Sequence, residues 1–281
     1  MKGIFGVVGH PIIHSLSPVM HNAVFNTLKL DYSYRPFDVK KEELADFINE
    51  AEENNIRGLN ITIPHKVDVM THLDRISNEA KLIGAVNTIN VGRELVGYNT
   101  DGVGCVKALE EAGADLKGSE IIVLGSGGAA RAIVFQCVMC GADVYVANRT
   151  RERALKLAGD VEEKLGFTID LIDFDNENLK EFAEGADILI NATSVGMSPN
   201  DEESPIDASI LHNKLSVMDI VYNPIETQLL RDARKAGCKT IDGVGMLVHQ
   251  GAESLRIWLN VEPPIGVMRD AVVERLTLNK H

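Results

Sequence analysis

The chain has 281 residues, 45% of them apolar and 25% charged, a size and balance that suit two globular domains, each burying its own core. Its formal net charge of −13 argues against nucleic acid or an anionic membrane surface as partner, since both would repel it. No run is long enough to span a bilayer, the start MKGIFGVVGHP lacks signal-peptide features, and four cysteines in a chain this long suit a reducing compartment, so a cytoplasmic protein is expected.

In chain order, residues 2–9 read as a strand stopped by Gly9-His10-Pro11. Ser15-Leu16-Ser17-Pro18 opens a helix to about Leu30, with Ser17 as N-cap because proline is welcome in the first turn. Residues 31–39 are strand-like, 42–53 helical and 58–63 strand-like again. Pro64 starts a short helical segment, which puts Lys66 in a first turn, where the helix dipole disfavours a cation. Asn60 and Thr62 alternate on one strand face and offer an amide and a hydroxyl beside that ammonium. An exposed lysine on a surface helix is the competing reading. Residues 76–83 are helical, and 85–91 with 94–98 form a hairpin turning at Gly92. Asn99-Thr100-Asp101-Gly102 leads into a helix over 101–112, for which Asp101 is a plausible cap, and on the residues alone capping is the stronger reading. Ser15, Ser17 and Asn87 likewise have ordinary roles open to them as turn, cap and backbone partners.

The most informative stretch follows, residues 121–150, IIVLGSGGAARAIVFQCVMCGADVYVANRT. An apolar run of strand length meets Gly125-Ser126-Gly127-Gly128-Ala129, then helical spacing to Cys140, a stop at Gly141, and a second strand at 143–147. This is the βαβ unit in which glycines let the backbone approach a pyrophosphate at a helix N-terminus. An NAD site places an acid about 20 residues past the glycines, to accept from the ribose 2′-hydroxyl. Here that strand ends in Asn148-Arg149-Thr150, with Arg151 and Arg153 beyond, so a 2′-phosphate finds cations and donors instead. NADP is therefore expected over NAD, with Arg149 and Thr150 on the phosphate and Arg151 at a solvated helix start.

Beyond that unit come a helix from Thr150, strands at 168–172, 187–191, 215–220 and 239–241, and helices near 179–184 and 226–236. Such alternation predicts a parallel sheet covered on both faces. Two helical stretches, 246–259 and 265–278, close the chain after Gly243 and Gly245. The expected division is a Rossmann-type doubly wound domain over 102–244 and a smaller α/β substrate domain over 1–101 plus 245–281. Cys137-Val138-Met139-Cys140 has no second pair to complete a zinc site and reads as structural thiols, and the eight histidines show no ligand spacing, so no metal is expected.

Taken together, SLSP at 15–18, NITIPHK at 60–66, GAVNT at 84–88, NTDG at 99–102, GSGGAA at 125–130, NRT at 148–150 and NATSVGM at 191–197 resemble the shikimate dehydrogenases over nearly the whole chain. The resemblance implies NADPH-dependent, reversible reduction of 3-dehydroshikimate to shikimate. It maps the catalytic pair onto Lys66 and Asp101 and the substrate contacts onto Ser15, Ser17, Asn60, Thr62, Asn87, Tyr222 and Gln250. It maps the cofactor contacts onto Gly125, Ser126, Gly127, Gly128, Ala129, Asn148, Arg149, Thr150, Arg153, Thr193, Ser194, Met197, Ile220, Gly243 and Met246. Ser126 departs from the alanine many members carry, a change that leaves phosphate binding intact. His65 is given no role. A homodimer is common in the family. Rival readings are a quinate/shikimate dehydrogenase with broader substrate and cofactor use, a methylene-tetrahydrofolate dehydrogenase, which SLSP and NTDG do not fit, and a catalytically silent NADP sensor.

Overall fold

The computed structural model describes residues 2–278, and among these the chain forms ten α-helices and twelve strands in two six-stranded sheets. It divides into two compact units, Met1–Thr100 with Val248–His281, and Asp101–Leu247. The expected return at 244/245 thus falls three residues later, inside a helix rather than before it.

The first unit begins with β1 (Gly3–Gly9), α1 (Ser17–Thr27), β2 (Tyr32–Asp38), α2 (Leu44–Asn49) and β3 (Ile56–Ile61). It continues with β4 (Arg75–Ile76), α3 (Asn78–Ile83), β5 (Thr88–Val91) and β6 (Leu95–Tyr98). The sheet order is β2-β1-β3-β5-β6-β4, parallel across β2-β1-β3, antiparallel through β5 and β6, and parallel again at β4. Its central strands β1 and β3 are buried nearly throughout because both faces are covered there. One face joins Val8, Leu59, Ile61 and Ile89 to Leu44 and Ile48 of α2. On the other, Phe5 packs against Phe25, Tyr32 and Trp258 with ring centroids 5.7, 5.3 and 5.0 Å away.

The second unit runs α4 (Asp101–Glu111), β7 (Glu120–Leu124), α5 (Gly128–Met139), β8 (Asp143–Ala147), α6 (Arg151–Leu165) and β9 (Asp170–Ile172). Then follow α7 (Asn176–Gly185), β10 (Ile188–Asn191), β11 (Ser216–Asp219), α8 (Gln228–Lys235) and β12 (Lys239–Ile241). Every pairing is parallel in the order β12-β11-β10-β7-β8-β9, the doubly wound Rossmann arrangement. The order reverses between β7 and β10, so the crevice for a ligand opens beyond Leu124 and Asn191. Finally α9 (Gly243–Leu259) carries the chain back to the first unit, where α10 (Ile265–Leu278) packs on α1. No helix among the described residues is long and apolar enough to cross a membrane.

Several local expectations are corrected. Ser17 does not cap α1; Leu16 holds the cap position without a side-chain bond, and Ser17 is the first helical residue. Its N–H donates to Ser15 Oγ at 3.3 Å, so the serine that serves the start of the helix is the earlier one. No helix starts at Pro64: residues 63–67 form turns ahead of a 3₁₀ segment, Asp68–His72, so the dipole argument for Lys66 does not hold. The Lys66 carbonyl accepts from Val86 N–H at 2.8 Å, a bond to the neighbouring segment that a helical turn would need for itself. Residue 76 ends strand β4, and Ser77 caps α3 by accepting from Ala80 N–H. Helix α9 starts at Gly243 rather than at 246, because Asp242 Oδ1 accepts from Val244 N–H at 3.0 Å and Gly245 N–H at 3.4 Å. Asp101 is the first residue within α4, one past the cap position expected of it.

Candidate active site

In the first unit, the end of β3, the start of β5 and the body of α9 gather polar side chains that lie far apart in sequence. Asn60 Nδ2 donates to the Asn87 carbonyl at 3.2 Å, Thr88 Oγ1 at 3.1 Å and Ser254 Oγ at 2.9 Å, and its Oδ1 accepts from the Tyr34 hydroxyl at 2.7 Å. Asn87 Nδ2 donates to Thr100 Oγ1 at 2.9 Å, and its Oδ1 accepts from Thr100 N–H at 2.8 Å. The Thr88 and Ser254 hydroxyls are 2.9 Å apart, and Ser254 donates onward to the Gln250 carbonyl at 3.1 Å. All of these side chains except that of Gln250 are buried, which is tolerable because each polar atom is paired.

Around this group lie the other candidates of the unit. Ser15 is half-buried ahead of α1 and its Oγ accepts from Ser17 N–H at 3.3 Å, while Ser17 itself is buried. Thr62 and Lys66 are half-buried just past the end of β3. Between them His65 is fully buried with Nε2 2.7 Å from the Val39 carbonyl. The structure therefore joins Asn60, Asn87 and the Gln250 backbone in one bonded group, while Ser17 is bonded to Ser15. Asn60, expected on the substrate, meets four protein groups.

In the second unit, Gly125 turns the chain out of β7 at φ +111°, and a Cβ there would sit 3.1 Å from the Ala192 carbonyl. Gly127 differs: a Cβ added there meets nothing within 4 Å. The gap faces the N-terminus of α5, where Gly128 and Ala129 begin a helix whose leading N–H groups have no intrahelical partner. An open cradle of that kind, with Ser126 half-buried beside it, fits a pyrophosphate.

At the tip of β8, Asn148 Nδ2 donates to the Thr150 carbonyl at 2.7 Å, and the Thr150 side chain leaves the cap of α6 unbonded. Arg149 is exposed and has no ion pair among the described residues, whereas Arg151 pairs with Asp173. Asn148, Arg149 and Arg151 border a pocket of about 240 Å³ whose far wall runs from Leu171 to Phe174. Arg153 is exposed on α6 and does not line that pocket. The residues present fit a phosphorylated ribose: the acid at the rim, Asp173, is already engaged by a guanidinium.

The loops after β10 and β11 are tied by buried side chains. Asn191 Oδ1 accepts from the Thr193 N–H at 3.1 Å and hydroxyl at 2.7 Å, and its Nδ2 donates to Asp219 Oδ1 at 2.9 Å. Asp219 also accepts from Val221 N–H at 3.0 Å and the Thr227 hydroxyl at 2.7 Å. Burial pushes the Asp219 carboxyl up from 3.8 to about 6, against the pull of those three hydrogen bonds. Ser194 and Met197 are exposed, and Ile220 and Tyr222 half-buried, with burial raising the Tyr222 phenol. A Cβ on Gly243 would lie 2.5 Å from the Ile220 carbonyl, so only glycine lets α9 start there, and Met246 is buried within its first turn. Asp101 opens α4 and is 5% exposed. Sequence reasoning missed Tyr34, Thr88, Ser254, Asn191, Asp219 and Thr227. Two carried a signal: Asp219 ends an apolar strand, and Ser254 interrupts the apolar face of α9.

Family models match along the chain: the shikimate dehydrogenase substrate binding domain at residues 7–89, shikimate / quinate 5-dehydrogenase at 107–232, and the shikimate 5′-dehydrogenase C-terminal domain at 243–273. An NADP(+) shikimate dehydrogenase of Methanopyrus kandleri is 47% identical over 277 residues, 97% of this chain and 96% of the relative. A crystal structure of a shikimate dehydrogenase in complex with NADP+ superposes with a TM-score of 0.94 at 43% identity, covering 98% of this chain and 96% of that one. Another, from Thermus thermophilus in complex with NADP(H) and shikimate, has a TM-score of 0.88 at 38% identity and covers 98% and 99%. With likeness of this degree running through both units, the chain belongs to the shikimate dehydrogenase family.

Proposed function

We propose that the chain catalyses the NADPH-dependent, reversible reduction of 3-dehydroshikimate to shikimate. The observation that carries the reading is kinship across both units, the substrate-domain model matching one and the dehydrogenase model the other. When bound, NADPH supplies the hydride that the ketone carbon accepts. Lys66 as ammonium protonates the oxygen left negative by that transfer, and in the oxidative direction takes the proton back as amine. Asp101 orients that ammonium and favours its charged form. A positioned acid of this kind contributes about 100- to 10,000-fold in rate. Ser15 and Ser17 bind the substrate carboxylate, while Asn60, Thr62, Asn87, Gln250 and Tyr222 hold the ring hydroxyls. The Gly125–Ala129 turn cradles the pyrophosphate, Arg149 and Thr150 take the 2′-phosphate, and the loops carrying Thr193 to Met197 and Ile220 flank the nicotinamide.

The matching of a shikimate / quinate model favours one second reading, in which quinate is also oxidised. Cofactor reduction followed by absorbance, with shikimate or quinate and NADP+ or NAD+, tests both: the first reading expects shikimate with NADP+ to dominate, and no turnover of shikimate overturns it. A cytoplasmic setting and a homodimer accompany the proposal, and sedimentation of the purified chain tests the latter.

A further inference from the structure

Thr88 opens β5 and is wholly buried, and its hydroxyl touches the side chains of both Asn60 and Asn87. Thr88 Oγ1 lies 3.1 Å from Asn60 Nδ2 and 3.0 Å from Asn87 Oδ1. The nitrogen is a donor and the amide oxygen an acceptor, so this hydroxyl accepts from Asn60 and donates to Asn87. With its proton on Asn87, the 2.9 Å contact to Ser254 Oγ is closed by the Ser254 proton, shared with the Gln250 carbonyl at 3.1 Å. Both lone pairs and the proton of Thr88 are then in use, the full capacity of a hydroxyl.

Backbone groups of fixed polarity settle how the two amides are turned. Asn60 presents its nitrogen to the Asn87 carbonyl at 3.2 Å, where an oxygen would meet another oxygen. Asn87 presents its oxygen to the Thr100 N–H at 2.8 Å. With Thr88 and Ser254 as further acceptors, both protons of the Asn60 amide are engaged. Asn60 therefore meets a ligand through Oδ1, by the lone pair that the Tyr34 hydroxyl leaves open. Asn87 Oδ1 already accepts from Thr100 and Thr88, so that amide meets a ligand through Nδ2. The two amides face a polyol with opposite polarity, and Thr88 is bonded to the end of each that the ligand does not use.

We propose that Thr88 is a positioning residue: its hydroxyl sets the spacing of the two amides, so that Asn60 accepts from one substrate hydroxyl while Asn87 donates to one. The inference rests on the shikimate reading and deepens it, giving each amide a polarity and their spacing a cause. Contacts of 3.0 and 3.1 Å suit a hydroxyl, whereas a methyl needs about 3.5–4.0 Å. A methyl in its place pushes each amide back by about half an ångström. Misplacement by about 1 Å costs about 100-fold in a positioned site, so about tenfold is the scale expected.

Steady-state kinetics of the whole enzyme carrying Thr88→Val, Thr88→Ala or Thr88→Ser test this. Serine keeps the hydroxyl and loses the methyl; valine keeps the shape and loses the hydroxyl; alanine loses both. Each amide retains other partners in all three, so no buried polar atom of theirs is orphaned. Valine is expected to raise KM for shikimate about tenfold and alanine about threefold or more, with kcat and KM for NADP+ within about threefold. Serine is expected to stay close to wild type. A residue that only packed would give the reverse order, and a loosened fold would lower kcat, through the amount of active enzyme, without moving KM. Analogues lacking one ring hydroxyl add a second readout: the penalty for losing a hydroxyl held by either amide should shrink about threefold or more in Thr88→Val. A normal KM in the valine or alanine enzyme, a raised KM in the serine enzyme, or unchanged penalties each overturn the proposal. Should the valine chain not fold, alanine against serine decides alone. A wild-type chain that does not turn over shikimate refutes the function itself, whereas one that turns it over with interchangeable residues at position 88 refutes only this role.

Discussion

Thr227 donates its hydroxyl to Asp219 Oδ2 at 2.7 Å, and both residues are wholly buried. Asp219 ends β11 and Thr227 caps α8, accepting from Leu230 N–H at 3.3 Å. One contact therefore closes the 220–226 loop on itself, and Asn191, bonded to the same carboxylate, ties in the loop after β10. A negative charge with no ion pair among the described residues would be a poor choice for stability alone. It suits a place where several donors from different loops must be held to one point.

That choice has a pH signature. Asp219 titrates near 6 in the folded chain against 3.8 in the reference state, so between those values the folded chain keeps a proton that the unfolded chain has released. Its contribution to stability is fully present below about pH 4 and lost as pH rises to about 6, by roughly 3 kcal/mol. Urea unfolding of wild type and Asp219→Asn at steps from pH 4 to 7 isolates it, since the variant cannot titrate there. The stability difference, wild type minus variant, should fall across that window; a flat difference would mean the carboxyl is not shifted.

The two glycines of the β7–α5 turn should respond oppositely to alanine. Gly125 sits at φ +111° against the Ala192 carbonyl, so Gly125→Ala is expected to cost about 1–3 kcal/mol of stability. Gly127 has an ordinary φ of −74° and open space where a Cβ would go, so Gly127→Ala should cost no more than about 1 kcal/mol. If a pyrophosphate fills that space, the same methyl should raise KM for NADPH by about tenfold or more. Thermal melts and cofactor titrations separate the two effects. A Gly127→Ala enzyme with normal NADPH affinity would empty the cradle of its assigned ligand.

The nucleotide unit was legible because local pattern and tertiary role coincide there. The switch from strand to helical period at Gly125, and the missing acid after 143–147, are readable within thirty residues. The polar group of the first unit was not, because its bonds join Tyr34 to Asn60 across 26 positions and Asn60 to Ser254 across 194. No period or cap rule spans such distances. Local rules even misled: Ser17 has the sequence of a cap, yet it is the first helical residue and Leu16 holds the cap position. Gly243 and Gly245 look like breakers, yet Asp242 caps a helix through them, and the Ile220 carbonyl requires Gly243. The resemblance supplied Asn87 and Gln250, whose polar side chains would otherwise pass as ordinary.

In the proposed reading, cofactor choice rests on Arg149 more than on its neighbours. It is exposed at the pocket rim without an ion pair among the described residues, while Arg151 is paired with Asp173. Arg149→Asp puts a carboxylate where the 2′-phosphate is expected, so binding of NADPH should weaken by about 1.5–3 kcal/mol, a loss that NADH, lacking the phosphate, escapes. Kinetics with both cofactors measure the ratio. An equal loss for the two would place the phosphate elsewhere.

Lys66 is the residue on which the proposed chemistry turns. Its backbone is pinned where β3 ends, by the Val86 N–H on its carbonyl and by the bond of His65 N–H to the Thr62 carbonyl one turn earlier. The side chain thus leaves a fixed point, and Lys66→Met keeps most of its length and apolar stem while removing the proton. Because the ammonium acts on charge that develops only as hydride arrives, its loss should fall on turnover rather than on binding. The expected drop in kcat is about 100- to 10,000-fold. KM for shikimate and for NADP+ should move only about threefold or less, since the ground state retains its other contacts. Should kcat hold while shikimate KM climbs, Lys66 would be a binding group, and the proton would have to come from another donor.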